Sequence, residues 1–153
     1  MNIAASIPGI FTADGSGTGQ AAAVNTSATT GAITLNGSTN PAKIGDTVSL
    51  YLTGEGDYNP SLLTGAVTTN TGFLIPAGLS PLPQISPTPT VQIGGVDATP
   101  GVSYAGVVPG SVIGVLQINV AIPTGSTTGN AVPVAISIGG NSTQSGVTLN
   151  VHQ

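Results

Sequence analysis

Few side chains in this sequence could do chemistry, and two of them lie close together. Glu55 and Asp57 are two residues apart, directly after a stretch that alternates apolar and hydroxyl side chains. Residues two apart in an extended chain project to the same side, so both carboxylates could reach one cation. Carboxylate oxygens are the ligands that Ca²⁺ prefers. The pair is therefore a candidate metal site, and the alternative is two solvated acids in a loop.

The sequence has no arrangement typical of nucleophilic catalysis. Its only histidine, His152, stands next to the last residue, and no Gly-x-Ser-x-Gly motif occurs. A Ser-His-Asp triad needs a histidine held between a nucleophile and a carboxylate. Cysteine is absent, which excludes disulfides and thiolate metal sites. We expect a protein that is not an enzyme and that has no cofactor.

Three Asn-x-Ser/Thr sequons make Asn25, Asn36 and Asn141 candidate glycosylation sites. Glycans at these positions would hydrate a surface that has few charges. The alternative is that a chain rich in serine and threonine contains such triplets by chance.

The charge of the chain excludes several classes of partner. Charged residues are 4% of the sequence, with one Lys or Arg, five Asp or Glu and a net charge of −4. Nucleic-acid binding depends on phosphate neutralisation by many basic side chains, so it is excluded. The sequence contains no run of about 18 apolar residues, so it predicts no membrane-spanning helix. A surface with so little charge favours association with other molecules, and we expect an extracellular or cell-surface location.

Period-two alternation predicts that these features sit on short antiparallel strands. The clearest cases are residues 46–53, 116–122, 132–138 and 147–151, and Gly or Pro directly follows the first three. Seven to nine such strands are typical of an immunoglobulin-like antiparallel β-sandwich. The inward faces predict a core made of Val48, Leu50, Leu52, Val91, Ile93, Leu116, Ile118, Val120, Val134, Ile136, Val147 and Leu149.

A long Pro-rich loop, residues 56–89, interrupts this pattern. It is too apolar for a solvated linker, and loops of this length are usually functional or disordered. Two interpretations are open: the loop folds over its own sandwich, or it covers a neighbouring molecule. The apolar residues in question are Phe73, Leu74, Ile75, Leu79, Leu82 and Ile85.

Five segments, in this order, carry a resemblance to a known family. They are IPGIFTADGSGTGQAAA (7–23), NPAKIGDTVSLYLTG (40–54), VQIGGV (91–96), GVLQINVAIP (114–123) and VPVAISIGG (132–140). Together they resemble the Ig-like C-terminal domain of secreted Acidobacteria proteins of the Solibacter type. The resemblance implies an extracellular Ig-like sandwich with no assigned catalytic residues. Family members usually have another β-domain before the Pro-Gly-Ile-Phe motif, so the resemblance implies that residues 1–7 correspond to the linker or the last strand of such a domain.

The N-terminal residues suggest a mode of assembly. We assign residues 1–12 to an extended, linker-like N-terminal strand and residues 13–153 to the Ig-like domain. Ile3, Ala5 and Ile7 share one face, which predicts that residues 1–7 pair with an exposed edge of the next subunit. The alternative is an N-terminus ordered by its own sandwich.

Two functional hypotheses follow from this organisation. Head-to-tail contacts of this kind give open filaments when the rotation does not close. The first hypothesis is therefore a self-assembling structural protein of a filament or surface layer, with the loop from Phe73 to Ile85 as its second contact. The alternative is a C-terminal adhesion or anchoring module of a larger secreted protein.

Overall fold

The computed structural model describes residues 5–59, 61–62, 65 and 84–153. Over these residues the chain is all-β, and fifteen strand segments form two packed sheets. Their one helical element is a short 3₁₀ turn at Thr99–Gly101. The predicted fold class is confirmed. In this part of the chain no helix is long and apolar enough to cross a membrane.

Seven of the strands have four or more residues, close to the number that the sequence predicts, and the others are short pieces that extend or flank them. In chain order the strands are β1 (Gly9–Ile10), β2 (Gly19–Gln20), β3 (Ala23–Thr26), β4 (Ile33–Leu35), β5 (Ala42–Lys43), β6 (Thr47–Thr53), β7 (Tyr58–Asn59), β8 (Gln84–Ile85), β9 (Thr90–Ile93), β10 (Val96–Asp97), β11 (Val102–Val107), β12 (Leu116–Ala121), β13 (Gly129–Ile138), β14 (Asn141–Ser142) and β15 (Val147–His152).

The first sheet has the order β4-β3-β6-β12-β11-β8-β7, and β1 pairs with the far end of β6 beyond β3. Its longest ladder joins β6 to β12 over six residue pairs, from Leu52 opposite Leu116 to Thr47 opposite Ala121. The described strands of this sheet place β4 and β7 at its two edges.

The second sheet has the order β10-β9-β13-β15-β2, with β14 on β13 and β5 on β15. Strand β13 pairs with β15 up to Pro133 and with β9 from Val134 onward. Proline cannot donate to a ladder, and the change of partner at this point accommodates it within an inner strand. Two pairs, β15 with β2 and β15 with β5, are parallel, a difference from the purely antiparallel expectation.

The core lies between the sheets and is made of the predicted faces. All twelve residues predicted for the core are buried, and most have no exposed surface. The register prediction is therefore confirmed, because a slip of one residue would have turned every one of these side chains outward.

Two regions differ from the boundaries predicted by the sequence. Residues 5–12 are part of the sandwich, since β1 pairs with β6 and Ile10 is 3% exposed. The Pro-rich loop, residues 56–89, contains β7 and β8, which pair with each other, and β8 also pairs with β11.

Candidate functional site

The N-terminal segment lies across both sheets of its own subunit. Ile7 N donates to the Gly54 carbonyl at 2.8 Å, and the buried Ser6 hydroxyl donates to the Ile138 carbonyl of the second sheet at 2.7 Å. The Gln144 side chain bonds the backbone N–H and C=O of Ile10 at 3.0 and 2.6 Å. Ser6 and Ile7 therefore have partners in their own sandwich, as the alternative interpretation expects, and pairing of residues 1–7 with a neighbour stays a prediction.

Two glycines allow this close approach. Gly54 has φ +74° and Gly56 has φ +86°. A Cβ at Gly54 would overlap the Ile7 carbonyl, and one at Gly56 would overlap the Ala5 carbonyl. Glycines on both sides of Glu55 thus allow the N-terminal segment to pack directly on the backbone of this loop.

An apolar patch lies on the outward face of the first sheet. Side chains alternate between the two faces of a strand, and the ladder registers put these residues on the same side as Thr53 and Ser49 of β6. Ile7, Phe11, Ile33 and Leu35 are 71%, 41%, 73% and 74% exposed, and Val24 is half-buried. We call Ile7, Phe11, Val24, Ile33 and Leu35 the outward apolar patch. The described strands of the first sheet contain no charged residue.

The patch continues onto an open strand edge at β4. Beside β4, Ser27 N donates to the Ala32 carbonyl and Asn36 N donates to the Ala23 carbonyl, both at 2.9 Å. Hydrogen-bonding positions alternate in an antiparallel ladder, so the N–H and C=O groups of Ile33 and Leu35 point away from β3. An uncharged, apolar edge of this kind is a template for pairing with another chain.

The residues predicted for the assembly interface fall into three groups. Ala5 and Ile7 are exposed, and their part in an interface stays a prediction. Ile85 is 6% exposed and packs in the subunit's own core, so its assignment to an interface is wrong. The remaining ones lie outside the described residues: Ile3, Phe73, Leu74, Ile75, Leu79 and Leu82.

A cavity of about 330 Å³ surrounds the candidate metal residues, Glu55 and Asp57. Glu55 is 4% exposed, and its Oε1 accepts a hydrogen bond of 2.5 Å from the Tyr58 hydroxyl. Its Oε2 is buried without a hydrogen-bond partner in the part of the chain that the structure describes. Asp57 is exposed at the same cavity. The pair is thus one buried and one exposed carboxylate, not two solvated acids.

Two tyrosines near this cavity are held in their neutral form. Burial raises the pKa of Tyr58, and the hydrogen bond and negative charge of Glu55 raise it further. Burial raises the pKa of Tyr104 to about 12. The Tyr104 hydroxyl donates to the Val107 carbonyl at 2.7 Å.

A buried amide cluster joins the two sheets, and no local sequence pattern predicts it. Asn36 Nδ2 donates to Asn25 Oδ1 of β3 and to the Asn150 carbonyl of β15, both at 2.9 Å. Its Oδ1 accepts from Asn150 N at 2.9 Å and from Gln20 Nε2 at 2.8 Å. Asn150 Nδ2 also donates to Gln20 Oε1.

This cluster changes the interpretation of the sequons. Asn25 and Asn36 are 3% and 8% exposed, and a glycan on either Nδ2 would break the bonds that each nitrogen donates. The fold corrects the glycosylation prediction at these two positions. Asn141 is exposed on β14, and its glycosylation stays a prediction.

The second sheet has a polar groove of about 530 Å³ on its outward face. The Asp97 carboxylate accepts from Thr99 N at 2.9 Å, and the Thr99 hydroxyl and N–H lower the pKa of Asp97. The Ser137 and Ser142 hydroxyls are 2.6 Å apart. The groove thus presents hydroxyls, an amide and one carboxylate, and its lining residues are Thr90, Gln92, Asp97, Thr99, Ala135, Ser137 and Ser142.

Comparison of the chain with family models, with curated proteins and with solved structures finds no match to any of them. The resemblance to the Solibacter-type Ig-like domain therefore stays a prediction.

Proposed function

We propose that this protein is an extracellular structural subunit whose copies associate into a filament or surface layer. The observation that carries the proposal is the outward apolar patch together with the open β4 edge. Ile33 and Leu35 combine about three-quarters exposure with backbone groups directed away from their own sheet. A partner strand would bury the apolar side chains and satisfy the backbone groups at once.

A second copy of the chain is the partner that this surface fits. The strands of the first sheet, as far as the structure describes them, have no charged residue, and the chain has a net charge of only −4. Copies therefore repel one another weakly. A partner with a strong charge would gain nothing from this face.

The arrangement that we propose is head-to-tail. Because residues 5–7 are paired within their own subunit, the contact uses the β4 edge of one copy and a different surface of the next. Heterologous contacts of this kind propagate into open assemblies, whereas a symmetric pairing of β4 with β4 would close as a dimer.

Electron microscopy of the purified protein at increasing concentration tests the proposal. Open filaments or sheets are the expected result. Discrete dimers would contradict the head-to-tail arrangement, and monomers at every concentration would contradict self-association itself.

The polar groove of the second sheet favours a second candidate, an adhesion or anchoring module of a larger secreted protein. Its hydroxyl, amide and carboxylate groups suit a hydroxylated ligand such as a cell-surface polysaccharide. Co-sedimentation with insoluble peptidoglycan or cellulose tests this function. Gln92→Ala in the groove should reduce binding, whereas Gln117→Ala on the first sheet should not. Equal binding by both variants would contradict it.

A further inference from the structure

We propose that Glu55 and Asp57 bind a divalent cation of the Ca²⁺ class in the cavity next to Tyr58. The site is independent of the association through β4. It deepens the interpretation of the loop between β6 and β7, for which the proposed function gives no role.

The charge of the buried Glu55 carboxylate is unbalanced. A buried carboxylate costs several kcal/mol unless it is paired, and Glu55 is 4% exposed. The only lysine of the chain, Lys43, lies on β5 of the second sheet, and arginine is absent. The hydroxyl of Tyr58 balances one oxygen. A cation at Oε2 supplies the missing charge and the missing partner.

The cavity is lined by further oxygen atoms that could bind a cation. Asp57 provides a further carboxylate, Ser61 provides a hydroxyl, and the Gly56 and Gly114 backbones also line the space. Ca²⁺ accepts six to eight oxygen ligands, which include backbone carbonyls and water. Among the described residues, no three His, Cys, Asp or Glu side chains lie close enough together to hold a metal ion. Carbonyls, the hydroxyl and water therefore complete the coordination.

The backbone around Glu55 is held in place by the N-terminal segment. The N-terminal segment lies directly over Gly54 and Gly56, so Glu55 is fixed on both sides by a close backbone contact. A carboxylate that is held in place before binding loses little conformational entropy when the metal arrives. With two carboxylates, we expect a dissociation constant of about 10⁻⁴–10⁻³ M, typical of extracellular modules.

Terbium luminescence tests the site, because Tb³⁺ replaces Ca²⁺ at oxygen sites and is excited through a nearby tyrosine. The chain has no tryptophan and three tyrosines, and the Tyr58 hydroxyl donates to Glu55, so emission that depends on Tyr58 reports this cavity. We expect emission that saturates with Tb³⁺, is displaced by Ca²⁺, and is lost in Tyr58→Phe. Calcium should also raise the unfolding temperature of the metal-free protein.

Two variants separate the site from general effects. Asp57→Asn changes an exposed residue and should fold normally, yet weaken Ca²⁺ binding at least about tenfold, since one of two charged ligands is lost. Glu55→Gln should abolish binding, whereas Asp97→Asn, on the second sheet, should leave it unchanged. No saturable emission from the parent protein would overturn the proposal. Equal Ca²⁺ affinity in Asp57→Asn and Asp97→Asn would overturn it as well.

Discussion

Tyr58 and Tyr104 are two phenols whose pKa the fold raises. Both have a raised pKa because they are buried, and Tyr58 also donates to Glu55. In the unfolded chain a phenol titrates near pH 10. The native state therefore holds its phenolic protons more tightly, and the stability from this difference is complete below about pH 10.

The first prediction follows from the sign of these shifts. The free energy of unfolding should fall as the pH rises above about 10, since the unfolded state then loses protons that the native state keeps. Urea unfolding from about pH 8 to pH 12 measures it. Tyr58→Phe and Tyr104→Phe should each reduce the slope. A stability that stays constant over this range would contradict the burial of both hydroxyls.

The N-terminal segment packs closely on the β6–β7 loop because glycines of this loop have no Cβ. Gly54→Ala should destabilise the protein by two separate effects. An alanine at φ +74° costs about 1–2 kcal/mol, and its Cβ also displaces the Ile7 carbonyl from its place against β6.

A matched variant isolates the second effect. Gly15 has nearly the same angle, φ +73°, and no atom near the position of its Cβ. Chemical denaturation should therefore show Gly54→Ala to be less stable than Gly15→Ala by at least about 1 kcal/mol, the value of a lost hydrogen bond. Equal losses would mean that the segment over Gly54 contributes no stability.

The amide cluster predicts a large effect at a residue that looks ordinary in the sequence. Asn36→Ala would leave the buried N–H of Asn150 and the Oδ1 of Asn25 without their partner. Each unsatisfied group costs about 1–3 kcal/mol, so the loss in unfolding free energy should exceed about 2 kcal/mol. Asn141→Ala, at an exposed sequon, should change stability little. A similar loss in both variants would contradict a structural role for the cluster.

Alternation predicted the long strands and the core because burial of one face forces a period of two. It places Leu50 and Ile118 inward without any knowledge of the partner strand. The same rule fails at Asn150, which occupies a position between two apolar residues yet is 5% exposed. Hydrogen bonds to residues distant in the sequence make this burial possible, and no local pattern encodes them.

The candidate sites were predicted only in part, for a similar reason. The spacing of Glu55 and Asp57 indicated a shared location, but not that Glu55 is buried against Tyr58. The exposure of Ile33 and Leu35 could not be read from their strand, because apolar alternation is equally typical of an inward face. Only the register of β4 on β3, and of β3 on β6, distinguishes the two faces.

At the scale of the whole molecule, a nearly uncharged surface and an apolar edge strand both favour association between copies. Strand edges are commonly protected by lysine or other charges, and β4 has none. The one lysine of the chain lies on β5. We propose that copies of the protein associate through this unprotected edge.

Light scattering of Leu35→Lys against Asn141→Lys tests that claim most directly. Both variants add one positive charge at an exposed position, but only the first places it on the β4 edge. We expect the parent and Asn141→Lys to increase in mass with concentration, while Leu35→Lys stays a folded monomer with an unchanged melting temperature. Association of Leu35→Lys to the same mass as the parent would contradict the account.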